Sequence, residues 1–489
     1  MNIFNTIAYL CSFIIRSCEE DFFVRYSCIS NKAKQRISSE IFKRTGSLLA
    51  AEEGSGASGA ADCASAGGDS SGVVCAAGDS AEEKTVRQLT HKDLNDEFFS
   101  TLDALIQEFI QAKDYFSIVT LIQILDEGVE TILKEKIAEF QADDFSVVLN
   151  TNREDTGVGL LPRCSCMWER KHRLSHSYNR MDNFLFNLLL MENVILGELI
   201  DKHIFLKKDF FNNLSERKKL KIAATPLRIE AKYEDVFYEE DNVSYDAVKL
   251  DESDAENDNL LVWNKILLAR DEETDIIVFP EILGNTTTVS FIQGKIQELS
   301  REEQQKLPSL IILPSVWYKK RNTVTILGNT GEIIATQSKQ NPYRMVTKNQ
   351  SFLEAITANN VINIFHYEGI GRFAILICKD FLTTKYMEQI MRCFKLTLII
   401  VPSYSTGSYD FIRSFDLCAH DDCNVVWINS CAAMEKGKES NFENIGYVRK
   451  RISRSEDEAQ MLCKMPICKD ALEGKCAHNC IFYETISAV

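Results

Sequence analysis

The sequence has no surplus of positive charge: 55 Lys and Arg stand against 71 Asp and Glu, a net charge of −16. An acidic chain has no global attraction for phosphate backbones, so nucleic-acid binding would need a local basic patch. No secretory leader is expected from the start of the sequence. The start, "MNIFNTIAYLCSFIIRSC", carries an apolar stretch but no basic n-region and no small-residue cleavage site. The stretch is too short to span a bilayer. An amphipathic helix packed on the body is expected there, with cytoplasmic residence. In that compartment the 16 Cys read as reduced thiols, metal ligands or a nucleophile rather than a disulfide framework. Residues 88–215 lack a Gly-rich phosphate loop, which argues against an ATP-binding synthetase. There is no Y-x-D-D polymerase motif and no internal repeat. What remains is ordinary globular composition, 45% hydrophobic and 26% charged over 489 residues, enough for two to four domains.

The chain reads as a series of parts. Residues 1–44 look helical. Residues 45–87 are Gly/Ala/Ser-rich and cannot bury enough apolar surface to offset their ordering entropy, so a flexible linker is expected. From residue 88, apolar residues recur at three- and four-residue steps: Phe98, Leu102, Leu105, Ile106 and Phe109, then Ile118, Leu121, Ile122 and Leu125. The run "MDNFLFNLLLMENVILGELI" reads as a further buried helix, so 88–215 is expected to be an all-helical module. At residue 217 the character changes. Short apolar runs ("KIAATPL", "DIIVFP", "SLIILPS", "VINIFHY", "FAILIC", "LTLIIVPS", "NVVWINS") alternate with helical stretches, and "NTVTILGNTGEIIATQ" reads as a hairpin. This predicts an α/β domain over 217–489 with a mixed sheet covered by helices.

Strand ends are where α/β folds display functional side chains. Glu281 follows "IIVFP", Lys339 follows the hairpin, and Cys378 closes "FAILIC". A thiol of pKa about 8.5 is mostly protonated at neutral pH, and a poorly solvated carboxylate beside it can take its proton. The thiolate can then attack the carbon of an amide or nitrile, while an ammonium and a backbone N–H stabilise the charge that grows on the substrate. Taken singly, each residue has a plainer explanation: a solvated loop carboxylate, a surface lysine, a small core residue. Their joint context favours chemistry.

"IIVFPEIL", "GEIIATQSKQNPY" and "FAILICKDF" resemble the Glu, Lys and Cys motifs of the nitrilase, or carbon–nitrogen hydrolase, superfamily, in the expected order. "VPSYS", "NVVWINS" and "KIAATPL" are similar to further family elements, and the resemblance covers roughly residues 217–450. It implies a four-layer α-β-β-α sandwich, typically dimerising, and a reaction that needs no cofactor. It implies Glu281 as general base, Lys339 as oxyanion-stabilising cation, Cys378 as nucleophile and Glu354, in "SFLEAIT", as the second active-site carboxylate. The backbone N–H of Lys379 would complete the oxyanion hole. The implied substrate is a small amide, carbamoyl compound or nitrile, with amidase favoured over nitrilase. Departures are visible: Lys379 stands where the family has an aromatic residue, Ala374 where a Gly is common, and the segments after Asn429 that shape the substrate pocket are unlike the family's. These motivate a second reading, a catalytically diverged sensor or scaffold, since nitrilase-like modules also occur fused to other domains in bacterial phage defence.

Two cysteine clusters lie outside this set. Cys463, Cys468, Cys476 and Cys480 could give four thiolates to a structural zinc, although a loop of reduced cysteines before a last strand is the favoured account of them. In "CSCMWERKHRLSH", Cys164 and Cys166 precede His172 and His176, four apart and so on one helix face.

Overall fold

The computed structural model describes residues 2–19, 21–51, 85–142, 148–169, 180–192, 199–346, 350–433, 444–451, 462–468, 476–478 and 480–488. The expected linker over 45–87 falls mostly on residues outside these, as do His172 and His176. The chain divides into two compact units. No described helix is long and apolar enough to cross a membrane.

The first unit is built from residues 1–137, 148–162 and 179–190. Its helices are Ile3–Ser17, Phe22–Ser27, Asn31–Thr45, Asp96–Ala112 and Tyr115–Gly128. Side chains that accept from the first free backbone N–H groups start several of them: Asn2 from Phe4, Ser30 from Ala33, Asn95 from Phe98 and Asp114 from Ser117. Ile7, Leu10, Cys11 and Ile14 on the first helix and Ile118, Leu121, Ile122 and Leu125 on the last are fully buried, as their spacing predicts.

The expectation of an all-helical module over 88–215 does not hold. After the helix Glu130–Ala142 the chain turns to strands: Val158–Pro162, Leu188–Glu192 and Ile200–Phe205. The first two pair with each other. The run read as a helix is a short 3-10 turn, Met181–Phe184, and then a strand whose Leu188 to Met191 are all buried. A strand buried on both faces is a continuous apolar run, which periodicity cannot tell from a buried helix. Tertiary contact decides it: the buried carboxylate of Asp126 accepts from the backbone N–H of Phe186 (2.7 Å), Asn187 (3.1 Å) and Leu188 (2.9 Å).

The second unit holds residues 138–147, 163–178 and 191–489, so it begins well before the expected boundary at 217. One seven-stranded sheet runs in the order Ile333–Ser338, Arg321–Gly328, Leu310–Ile312, Ile276–Val278, Lys219–Ala224, Phe482–Ser487, with Val316–Tyr318 paired beside Arg321–Gly328. The other runs Leu462–Pro466, Asn444–Arg449, Asn424–Asn429, Leu398–Ser403, Gly371–Ile375, Val361–Tyr367, Ile200–Phe205. Its edge strand Ile200–Phe205 lies parallel to Val361–Tyr367 and comes from the segment expected to be helical. The expected hairpin pairs Thr323 with Ser338 through Leu327 with Ile333.

Helices Ala255–Asp271 and Thr288–Gln297 cover the first sheet, packing Val262, Ile266, Ile292 and Ile296 on Ala223, Ile277 and Ile311. Helices Thr384–Phe394 and Tyr409–His420 cover the second, where Phe411 stacks on Trp427 at 4.8 Å. The sheets meet between these helical layers; Asn363 on one donates to the Thr336 carbonyl on the other at 2.9 Å. This is the α-β-β-α order expected for 217–450.

A four-stranded sheet was not foreseen: Arg344–Val346, Ser351–Glu354, Val243–Leu250 and Tyr233–Glu240. Its signal was present. Tyr233–Glu240 and Val243–Leu250 are joined by Asp241 and Asn242, both at positive φ (51° and 62°), the requirement of a tight two-residue hairpin turn.

Candidate functional site

Glu281 ends the short path from the buried strand Ile276–Val278. Its backbone N–H donates to the Ser403 carbonyl (3.3 Å), and the next residue, Ile282, is held at φ +60° by donation to Ser315 Oγ (2.8 Å). A β-branched residue rarely adopts that conformation. Gly284 then passes the Pro314 carbonyl so closely that a Cβ would lie 2.6 Å from it. The turn therefore points the Glu281 carboxyl inward and fixes it. Its Oε1 accepts from Asn322 Nδ2 (2.7 Å) and Lys339 Nζ (2.9 Å), and its Oε2 from the Tyr404 backbone N–H (2.7 Å).

Lys339 leaves the hairpin strand Ile333–Ser338, its backbone N–H bonded to the Asn322 carbonyl at 2.8 Å. Its ammonium reaches a second carboxylate as well, Glu354, at 2.9 Å from Oε1 and 2.8 Å from Oε2. Glu354 ends the strand Ser351–Glu354 and also accepts from the Tyr343 backbone N–H at 2.8 Å. The unforeseen sheet thus delivers the second carboxylate.

Cys378 follows the strand Gly371–Ile375 and starts the short helix Lys379–Leu382. Its backbone sits at φ 47°, ψ −100°, well outside the region an L-residue prefers, a strain of about 1–3 kcal/mol that surrounding structure must hold. The bond from its N–H to the Pro402 carbonyl (3.0 Å) does part of that. The thiol lies 3.9 Å from the Tyr404 carbonyl, and Cys378 as a whole retains 6% exposure.

The electrostatics follow from burial. Desolvation raises the Cys378 thiol above its ordinary value; Glu281 adds to the rise and Lys339 opposes it. Desolvation also raises Glu281, with Lys339 pulling it down and Glu354 pushing it up. Burial works against the charge on Lys339, but Glu281 and Glu354 together outweigh it, and its ammonium is held well above the usual lysine range. A carboxyl made more basic, a thiol held protonated and a permanent cation, each acting on the others, are the electrostatic arrangement that proton transfer from sulfur to carboxylate requires.

Glu281, Lys339, Glu354 and Cys378 therefore come together from four separate strand ends. Lys379 follows the thiol on the helix start. Residues that the sequence did not single out complete the surroundings. Asn322 and the Tyr404 backbone hold Glu281. Asp380 accepts from the backbone N–H of Gln340 (3.0 Å) and Asn341 (2.7 Å).

The cysteine sets fare differently. Cys463 lies with Lys450 and Glu484, whereas Cys468, Cys476 and Cys480 share the surroundings of buried Cys431 and Lys265. The set of Cys463, Cys468, Cys476 and Cys480 is thus split, and among the described residues no group of three or more His, Cys, Asp or Glu is placed to hold a metal. Cys164 is buried and its carbonyl accepts from Arg372 (3.2 Å), while Cys166 bridges to Gly369 and Ile370; both are spent on packing.

No protein-family model matches the chain, and no curated protein is similar to it. Solved structures are. An amidase from Nesterenkonia sp. shares 12% identity over 55% of this chain and 89% of its own, with a TM-score of 0.35. A mutant of the Nesterenkonia AN1 amidase, described as from the nitrilase superfamily, shares 13% over 55% and 90%, at 0.35. The C. elegans NitFhit protein shares 14% over 55% and 61%, at 0.35. The likeness to these proteins is one of fold.

Proposed function

We propose that the second unit is a thiol-dependent hydrolase of a non-peptide carbon–nitrogen bond, acting on a small amide in preference to a nitrile. The observation that carries the reading is the buried Lys339 ammonium, bonded at 2.9 Å to Glu281 beside the strained Cys378.

In this reading Glu281 takes the thiol proton as the sulfur attacks the carbonyl carbon. The carbonyl electron pair moves to oxygen, and the oxyanion is met by Lys339 Nζ and the Lys379 backbone N–H. As the C–N bond breaks, protonated Glu281 returns the proton to the departing nitrogen, which leaves as ammonia or an amine. A thioester on Cys378 remains. Water attacks it, with Glu281 again taking a proton, and the acid and the free thiol are released. Glu354 keeps the ammonium aimed, and its charge raises the basicity of Glu281. No metal or organic cofactor enters these steps.

Ammonia release from a panel of short aliphatic amides and nitriles tests the reading. Turnover by the native protein and none by Cys378→Ala is expected. Turnover by Cys378→Ala at the native rate would end it. A Cys378 inert to iodoacetamide across pH 6–9 would favour the sensor or scaffold alternative.

A further inference from the structure

Asp380 stands two residues beyond the nucleophile, fully buried, and is not one of the four converging groups. Its carboxyl reaches the loop after Lys339. Oδ1 accepts from the backbone N–H of Gln340 (3.0 Å) and Asn341 (2.7 Å) and from Asn341 Nδ2 (2.9 Å); Oδ2 accepts from Gln340 N–H at 3.2 Å. The residues that follow the cation are thereby tied to the residue that follows the thiol. In the other direction, the Asp380 N–H donates to the Ile377 carbonyl at 3.0 Å, just before the strained Cys378. Buried N–H groups must have acceptors, and these have this one carboxylate.

We propose that Asp380 is a positioning residue: ionised, it locks the Lys339 loop to the Cys378 turn so that cation and thiol keep one spacing. The inference rests on the hydrolase reading for its effect on rate, but the clamp itself does not. An ionised carboxylate is a stronger acceptor than a carboxylic acid, so the ionised form holds these three donors most tightly. The charged and titratable groups acting here are Lys339, which favours the ionised form, and Tyr386 on the helix Thr384–Phe394, whose hydroxyl burial and then Asp380 hold in its protonated state. That hydroxyl also bonds Gln340 Oε1. Burial outweighs the donors and pushes the Asp380 carboxyl up to about 7. The clamp therefore forms as pH rises through neutrality and releases below it.

Asp380→Asn tests this, since its neutral amide oxygen is a weaker acceptor for the three donors that reach Oδ1, and its N–H2 stands against the Gln340 N–H that Oδ2 accepts. Amide hydrogen exchange at Gln340 and Asn341 should speed up at least about tenfold at pH 8, with distant core amides unchanged. With the best amide of the panel, kcat should fall about tenfold or more while KM stays within about threefold. Of the native rise in kcat with pH, the part near pH 7 that Asp380 contributes should be absent from the variant, while the limb set by Glu281 remains. Asn341→Ala removes one donor and spares the fold; its kcat should fall less, with the pH rise retained. Unchanged exchange at Gln340 and Asn341 in Asp380→Asn overturns the clamp, whether or not the protein hydrolyses amides. Faster exchange with an unchanged kcat and pH profile overturns the catalytic role. Faster exchange in a protein that turns over nothing with Cys378 intact supports the clamp and refutes the hydrolase reading instead. If Asp380→Asn does not fold, exchange in the native protein decides: protection of these two amides must be lost as pH is lowered from 8 to 6 after correction for intrinsic rates, and retained protection overturns the proposal.

Discussion

Replacing Lys339 by Met is the most informative single change. The side chain is 97% buried and its ammonium lies 2.9 Å from Glu281 and 2.8 Å from Glu354. At an effective dielectric constant of about 20, each contact is worth roughly 6 kcal/mol of Coulomb energy before desolvation is charged against it. Methionine fills similar volume but leaves two carboxylates facing each other with no cation. Removing one partner of a buried ionic set typically costs about 3–5 kcal/mol. Here the cost depends on pH. The folded pKa of Glu281 is already raised, and without Lys339 it rises further. A carboxyl with a raised folded pKa loses stability as pH climbs above its unfolded value, so the destabilisation should be larger at pH 9 than at pH 6. Activity is hit twice. One oxyanion donor is gone, worth about 10²–10³ in kcat, and Glu281, pushed higher still without the cation, is ionised to a smaller extent and accepts less readily from Cys378. Part of the second loss should return at high pH. Thermal unfolding and ammonia release at pH 6, 7.5 and 9 measure both. A variant within about threefold of native kcat at equal folded fraction would refute the role given to this cation.

Cys378→Ala keeps the Cβ and the backbone of the turn and should fold and lose turnover entirely; differential scanning fluorimetry with the amide panel checks this. The native kcat/KM should fall as pH drops through a value above the ordinary Glu range, since Glu281 must be ionised to act and burial raises it; a limb near pH 4 would contradict the assignment. Asp126→Ala removes the acceptor of three backbone N–H groups in the first unit, that of Leu188 buried and those of Phe186 and Asn187 part-buried, and should cost about 1–3 kcal/mol, read as a lower denaturant midpoint by circular dichroism. Trp427→Ala, at a fully buried position stacked between Phe411 and Tyr447, should cost about 3–5 kcal/mol.

Much of the second unit was legible because its signals are local. "DIIVFP" and "LTLIIVPS" are short apolar runs between breakers, and both are strands, Ile276–Val278 and Leu398–Ser403. The placement of Glu281, Lys339 and Cys378 at strand ends followed from those runs. What misled was the run after Met181, where Leu188 to Met191 are buried on both faces of a strand and so show no period. The hairpin Tyr233–Leu250 was overlooked for the opposite reason. Its strands are half exposed and charged, and only the Asp241–Asn242 turn marks it. The zinc set failed on geometry that spacing does not encode: Cys463 lies with Lys450 and Glu484, apart from the surroundings that Cys468, Cys476 and Cys480 share.

From its residues alone this protein is an acidic α/β chain with a carboxylate, an ammonium and a thiol at the ends of apolar segments, because hydrophobic period and turn chemistry act over a few residues. Only the tertiary structure decided that these groups are dry and in contact, that Glu354 joins them from a separate sheet, and that Asp380 binds the Lys339 loop to the Cys378 turn. Desolvation and pairing depend on which distant strands become neighbours, and no local pattern carries that.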